Sequence, residues 1–168
     1  MDSGPTLILI LRHAEKPGNP ATDVDTDGIH LSTEGRIRAA ALSIYIPAHF
    51  PKVDFLFASS QSRRSNRSVE TISPFAEATG LAIDSSFAEA EYEKLAKALR
   101  TDPKYTSKTV LICWHHAHLS QLAAALGTKK PPAWPGRIFD RIWSIDYGEG
   151  TPLLHNNPQM LLYGDSSV

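Results

Sequence analysis

Three apolar runs punctuate the chain, and each breaks abruptly into polar or charged residues. LILIL, residues 7–11, runs into RHAEKP; VDFLFA, residues 53–58, runs into SSQSRRSNRS; TVLICW, residues 109–114, runs into HHAH. Continuous apolar stretches of this length, bounded by breakers, predict strands buried on both faces. Between them the period changes. Ile37, Ala40, Ala41, Ile44 and Tyr45 follow a helical spacing behind the capping residues Ser32 and Thr33, with Pro47 marking the predicted end. A second helix is predicted over 64–78, broken near Ser73 and Pro74. LAID then forms a short apolar segment, and residues 88–100 carry Tyr92, Leu95, Ala96 and Leu99 as an apolar stripe. LSQLAAALG, residues 119–127, predicts a helix closed by Gly127. Residues 138–146 predict a further strand nearer the sheet edge, and the tail through LLHNNPQMLLYGD adds a short strand or irregular packing. The polar stretch 17–30 and the KKPPAWPG segment are expected loops. Strands alternating with helices predict a three-layer α/β/α sandwich with a mostly parallel central sheet, with room for one antiparallel edge strand. Residues 1–168 are expected to form a single domain.

Charge narrows the choice of partner. Lys and Arg total 17 against 18 Asp and Glu, for a formal net charge of -1. Neither a basic tail nor a basic stripe points to nucleic acid or an anionic membrane, so a small ligand is expected. Cys113 is the only cysteine, which excludes an internal disulfide, and its place within TVLICW makes it a buried thiol. MDSGP has no basic region, the aliphatic run after it is too short to span a bilayer, and position 2 is Asp where myristoylation needs Gly. The expected location is cytoplasmic.

The strand ends hold the chemistry. In a parallel sheet, the carboxyl ends of the three apolar runs share one edge, where ligands of α/β sheets bind. There stand Arg12 and His13, the Ser-Arg cluster 59–68, and His115 with His116. These residue types bind or attack phosphoryl groups. His115, His116 and His118 also crowd together, but no recognised zinc spacing such as His-Glu-x-x-His occurs, so adventitious metal binding is favoured over a required metal. A zinc hydrolase is the outlying reading.

LRHAEK resembles the Arg-His opening of the histidine phosphatase superfamily, with Ala14 where that family usually has Gly. Leu31, Ser32, Gly35 and Ala39 resemble its helix start, and residues 59–70 its second-arginine segment, with SSQS in place of SSPL and Ser68 where Thr is common. HHAHLSQLAAALG resembles its second-histidine region. The match runs in order from residue 7 to about 127, within the phosphoglycerate mutase-like branch, and is most similar in character to short bacterial phosphohistidine phosphatase-like members.

The resemblance implies a metal-independent phosphatase, without cofactor, acting on a phosphorylated small molecule or phosphoprotein through a covalent phosphohistidine. It implies His13 as nucleophile, Arg12 and Arg64 as clamps on the nonbridging oxygens, with Arg63 and Arg67 competing for the second clamp, and His115 as a third phosphoryl contact. It maps the general acid to Glu89, with Glu91 two residues on as competitor. Glu15, Ser60, Trp114 and His116 are candidates for the surrounding pocket. Two alternatives stay open: a noncatalytic phosphate-binding or scaffold protein of the same fold, and a phosphoglycerate-type mutase, disfavoured by the shortness of the chain.

Overall fold

The computed structural model describes residues 4–148 and 150–167. The reading of the first three residues as free of a targeting signal lies outside that range. Six strands form one sheet: β1 (Leu7–Arg12), β2 (Phe55–Ala58), β3 (Ile83–Asp84), β4 (Thr109–Trp114), β5 (Arg141–Asp146) and β6 (Leu153–Pro158), in the order β3-β2-β4-β1-β5-β6. β4 pairs in parallel with β1 on one side and β2 on the other, and β3 pairs in parallel with β2, with Arg12 opposite Trp114 and Ala58 opposite Cys113. The three apolar runs therefore finish together on one edge. β5 runs antiparallel to β1 and β6 antiparallel to β5. The reversed strand is thus internal, and the tail supplies the true edge.

Four helices cover the sheet: α1 (Thr33–His49), α2 (Arg67–Thr79), α3 (Tyr92–Thr101) and α4 (His116–Ala125). Alternation along the strands sends Ile8, Ile10, Val110 and Ile112 toward Leu95, Leu99, Leu119 and Leu122 of α3 and α4. Leu9, Leu11, Leu56 and Leu111 face Leu42, Ile46, Ile72 and Phe75 of α1 and α2. Strands buried on both faces need unbroken apolar runs, which is the pattern seen. Among the described residues no helix is long and apolar enough to cross a membrane.

Several boundaries differ from the sequence pattern. α1 continues past Pro47, which sits in its last turn, and closes with Phe50 N–H on Ile46 O at 3.0 Å. α2 begins at Arg67 because Ser62 and Ser65 pair in a tight turn. It also passes through Pro74 unbroken, with Ile72 and Phe75 buried on either side and Ser73 Oγ donating to Val69 O at 2.8 Å. α3 is preceded by a 3-10 turn, Glu89–Glu91. α4 starts earlier than expected, at His116, with His115 as its N-cap.

The start of α1 lies against the loop that follows β1. Ser32 Oγ accepts the Gly35 N–H at 2.9 Å, and Ser32 N–H donates to Glu15 O at 2.9 Å. A Cβ on Gly35 would lie 2.4 Å from Glu15 O, a separation that forces backbone to move. Gly35→Ala is therefore expected to cost about 1–3 kcal/mol, as overpacking does. Urea denaturation checks this; an unchanged midpoint would mean that α1 does not press on this loop.

Candidate active site

Arg12 and His13 are the last residue of β1 and its successor, 2% and 1% exposed. The Arg12 guanidinium lies over the Phe139 ring, 3.8 Å from its centroid, and Nη1 donates to Gly136 O at 2.7 Å and to Ile138 O at 3.3 Å. Its Nε has no partner. Burial first and the charge of Arg67 second lower the Arg12 pKa to about 10, against the pull of Glu15.

His13 is held by its backbone and by one ring nitrogen. Its N–H donates to Trp114 O at 3.2 Å, and Nδ1 stands 2.7 Å from Ala14 O. A carbonyl only accepts, so Nδ1 carries the proton and Nε2 carries a lone pair. Nε2 is buried and unpartnered. Burial is the largest influence on this ring; with the charges of Arg67, Arg12 and His115 it outweighs the Ala14 hydrogen bond and lowers the pKa to about 3. The imidazole is neutral at physiological pH.

Arg67 is the second buried guanidinium of the site. It opens α2, is 8% exposed, and donates through Nη1 to Gly28 O, leaving Nε unpartnered. Burial lowers its pKa, opposed by Glu70, Glu89 and Asp27. Thr71 ties it to the His13 loop: Thr71 Oγ1 accepts the Ala14 N–H at 2.8 Å and donates to Arg67 O at 2.7 Å. Glu70 holds the 28–31 segment in place, accepting the Leu31 N–H at 2.8 Å and pairing with His30.

Arg64 lies elsewhere. The turn from Ser62 to Ser65 directs Arg63 and Arg64 into solvent, so Arg64 stands on the rim of a cavity of about 290 Å³. The charge acting on the His13 ring, expected from Arg64, comes from Arg67, three residues on, where the helix begins. The same cavity is lined by Ser59, Ser60, Ser68, Glu89 and His115. Ser59 Oγ donates to Ser68 Oγ at 2.8 Å.

His115 caps α4, its Nδ1 accepting the Ala117 N–H at 3.4 Å, and its ring centroid lies 5.7 Å from that of His13. Burial lowers its pKa, with Arg12, His118 and Arg67 acting in the same direction and Glu89 opposing. The two glutamates part company here. Glu91 accepts the Ala88 N–H at 3.0 Å and pairs with Lys94 at 2.5 Å, and the Lys94 hydrogen bond, followed by the Ala88 one, holds its carboxyl below the usual range. Glu89 keeps its carboxyl at the cavity, while its backbone oxygen accepts the Trp114 indole N–H at 2.9 Å. Glu15 turns from the pocket to Arg38, 2.8 Å away. His116 stands beside His115, ring centroids 4.5 Å apart, and ring nitrogens of His13, His115 and His116 lie within 4.8 Å of one another.

Thr71, Gly136 and Phe139 are the contributors that sequence reasoning did not single out, and Arg67 was placed behind Arg64. Arg67, Thr71 and Phe75 recur every four residues on the buried face of α2, a signal that an arginine faces inward. Gly136 and Phe139 lie in a loop far along the chain, with no local pattern to place them.

No protein-family model matches the chain, and no curated protein matches it. Solved structures do. A mycobacterial glucosyl-3-phosphoglycerate phosphatase superposes with a TM-score of 0.60 at 14% identity, over 91% of this chain and 97% of that one. A phosphoserine phosphatase from Entamoeba histolytica, in complex with 3-phosphoglyceric acid, gives 0.56 at 14% identity, over 93% and 99%. The candidate phosphohistidine phosphatase SixA from Agrobacterium tumefaciens gives 0.55 at 16% identity, over 90% and 95%. At these identities the likeness is one of fold alone: the chain shares the α/β architecture of these phosphatases over nine-tenths of its length.

Proposed function

We propose that this protein is a metal-independent phosphatase that hydrolyses a phosphomonoester or phosphoprotein through a phosphohistidine at His13. The observation that carries the reading is the state of one atom: Nε2 of His13 is unprotonated, unpartnered and buried, with the charges of Arg67 and Arg12 both acting on its ring. An electron pair with nothing to bond, in a cationic setting suited to an anion, is what attack on a phosphate ester requires.

In the first step the Nε2 lone pair forms the N–P bond as the ester oxygen departs from the opposite side. Arg12 and Arg67 neutralise the nonbridging oxygens through charge-assisted hydrogen bonds, and their free Nε groups are donors to spare. His115, at the positive end of α4, contacts the same group; a bound phosphate opposes the lowering of its pKa. Glu89 gives its proton to an alkoxide leaving group. In the second step the Glu89 carboxylate takes a proton from water, the oxygen of that water bonds to phosphorus, and the N–P bond breaks to regenerate neutral His13 and inorganic phosphate. Small phosphorylated molecules fit a cavity of about 290 Å³. The phosphatases of the same fold include ones named for glucosyl-3-phosphoglycerate and phosphoserine.

Acid-quenched intact-protein mass spectrometry during metal-free turnover of an aryl phosphate tests the route. A transient gain of about 80 Da, one phosphoryl group, mapped to the peptide holding His13 is expected; turnover with no adduct under rapid quench, and with oxygen from labelled water entering in one direct displacement, would sink it. Glu89→Gln should lower kcat on an alkyl phosphate by about 100-fold and spare a phosphoramidate, whose nitrogen leaving group has different proton requirements. Equal losses on both substrates would remove Glu89 as the acid.

A further inference from the structure

Phosphoryl transfer leaves one group at the site without employment. His116 is half-buried beside His115, with a buried Nδ1 that bonds to nothing. Gly136 lies alongside its ring, where a Cβ would stand 3.5 Å from His116 Nε2, at ordinary contact distance. With His13 and His115 it places three ring nitrogens within 4.8 Å of one another. Because Nδ1 of His13 is engaged by Ala14 O, the nitrogen that His13 offers to this cluster is Nε2.

We propose that His13, His115 and His116 form a binding site for a transition-metal dication of zinc type, whose occupancy engages the attacking nitrogen and holds the enzyme inactive. Three imidazoles and an open position are a common zinc donor set, and the set suits zinc, copper or nickel rather than magnesium or calcium, which take oxygen ligands. Zinc-nitrogen bonds of about 2.0–2.1 Å put tetrahedral ligand atoms about 3.3 Å apart, so the cluster must contract. His13 is fixed, whereas His115 and His116 are half-buried at the start of α4, where rotation of their rings closes the distance. Arg12 and Arg67 oppose any dication by charge, which restricts the site further to metals with a strong preference for imidazole.

Two histidines from one helix start and one from a neighbouring strand end thus make a trap whose bait is the nucleophile. Metal and phosphoryl group compete for the same electron pair. This blocking role rests on His13 being the attacking residue; the metal site itself does not.

The experiment uses the full chain, stripped with EDTA and freed of it. Zinc sulfate is titrated in competition with a chromophoric chelator, and turnover of an aryl phosphate is followed in parallel. One zinc per chain is expected, with turnover falling in step with occupancy, restored by EDTA and unaffected by magnesium. His116→Gln is expected to weaken zinc binding, and to shift the inhibition midpoint, by about 10-fold or more, whereas His155→Gln on the edge strand changes neither. His115→Gln gives the same reading should His116→Gln fail to fold. Absence of stoichiometric binding, or binding indifferent to both substitutions, would overturn the site. Zinc binding that depends on His116 but leaves turnover untouched would overturn the blocking role and His13 as nucleophile with it. Turnover seen only when zinc is bound would overturn inhibition in favour of a metal-requiring hydrolase. Intact metal-free turnover without zinc binding would remove this inference alone.

Discussion

His13→Ala is expected to lower kcat/KM for an aryl phosphate by at least about 10,000-fold, since loss of a covalent nucleophile leaves only the binding and electrostatic parts of the site. The two arginine substitutions should then separate sharply. Arg67→Met is expected to cost about 100- to 1000-fold, the range for removing one preorganised donor of transition-state charge. Arg67→Lys should recover little of it, because an ammonium cannot reproduce the guanidinium fork while also reaching Gly28 O. Arg64→Met should cost less than about 5-fold, as expected for an exposed rim charge that acts through solvent. Steady-state kinetics on the three variants decides the matter. Equal losses at Arg64 and Arg67 would mean that the phosphoryl group binds toward the rim, away from His13, and the proposed geometry would fall.

Arg38→Ala is expected to destabilise the protein by about 3–5 kcal/mol, the cost of leaving buried charges without their partner. Arg38 and Asp165 are 3% and 5% exposed, and the guanidinium joins Glu15, Gln159 and Asp165 at 2.7–2.9 Å. One residue of α1 thereby ties the His13 loop to the carboxyl-terminal segment. Burial alone raises the Asp165 carboxyl, but the hydrogen bonds from Arg38 and from the Leu162 and Leu161 amides outweigh it and hold its pKa at about 2. The folded value lies below the ordinary value of 3.8, so the stabilisation is complete above about pH 4 and fades as pH falls through the folded value. It amounts to about 2 kcal/mol. Urea midpoints should therefore show Asp165→Asn approaching the wild type between pH 4 and pH 2, with a constant gap from pH 7 to pH 5. A gap that stays constant down to pH 2 would mean that the carboxyl is not held ionised by Arg38.

The parts of the fold that were visible in the sequence are those governed by local repetition. LILIL, VDFLFA and TVLICW became β1, β2 and β4 because a strand buried on both faces tolerates nothing but apolar side chains. Pro47 and Pro74 misled because a proline's missing hydrogen bond is a modest local loss that surrounding packing can absorb, and Ile46, Ile72 and Phe75 provide that packing. At the candidate site the same division holds. Arg12, His13 and His115 follow directly from strand ends, so their convergence was readable once the sheet was known to be parallel. Arg67 was passed over for Arg64 because the choice between them depends on which residue begins α2, and helix boundaries are the feature that local pattern fixes least well. Phe139 and Gly136 meet Arg12 across more than 120 positions of chain, a contact that no local pattern encodes.

Trp114, Thr71 and Ser32 receive or give the backbone hydrogen bonds of the His13 loop from three separate elements, and the Ala14 amide is sealed beneath α2. Such amides can exchange with deuterium only when α1, α2 and the sheet come apart together, so their protection should approach that of the global unfolding reaction. The 62–65 turn opposite is exposed and should exchange early. One wall of the cavity, the 62–65 turn, is thus among the fastest-exchanging parts of the molecule, while the His13 loop is among the slowest. Different ligands can then be accommodated by movement of the rim while the His13 ring stays where it is.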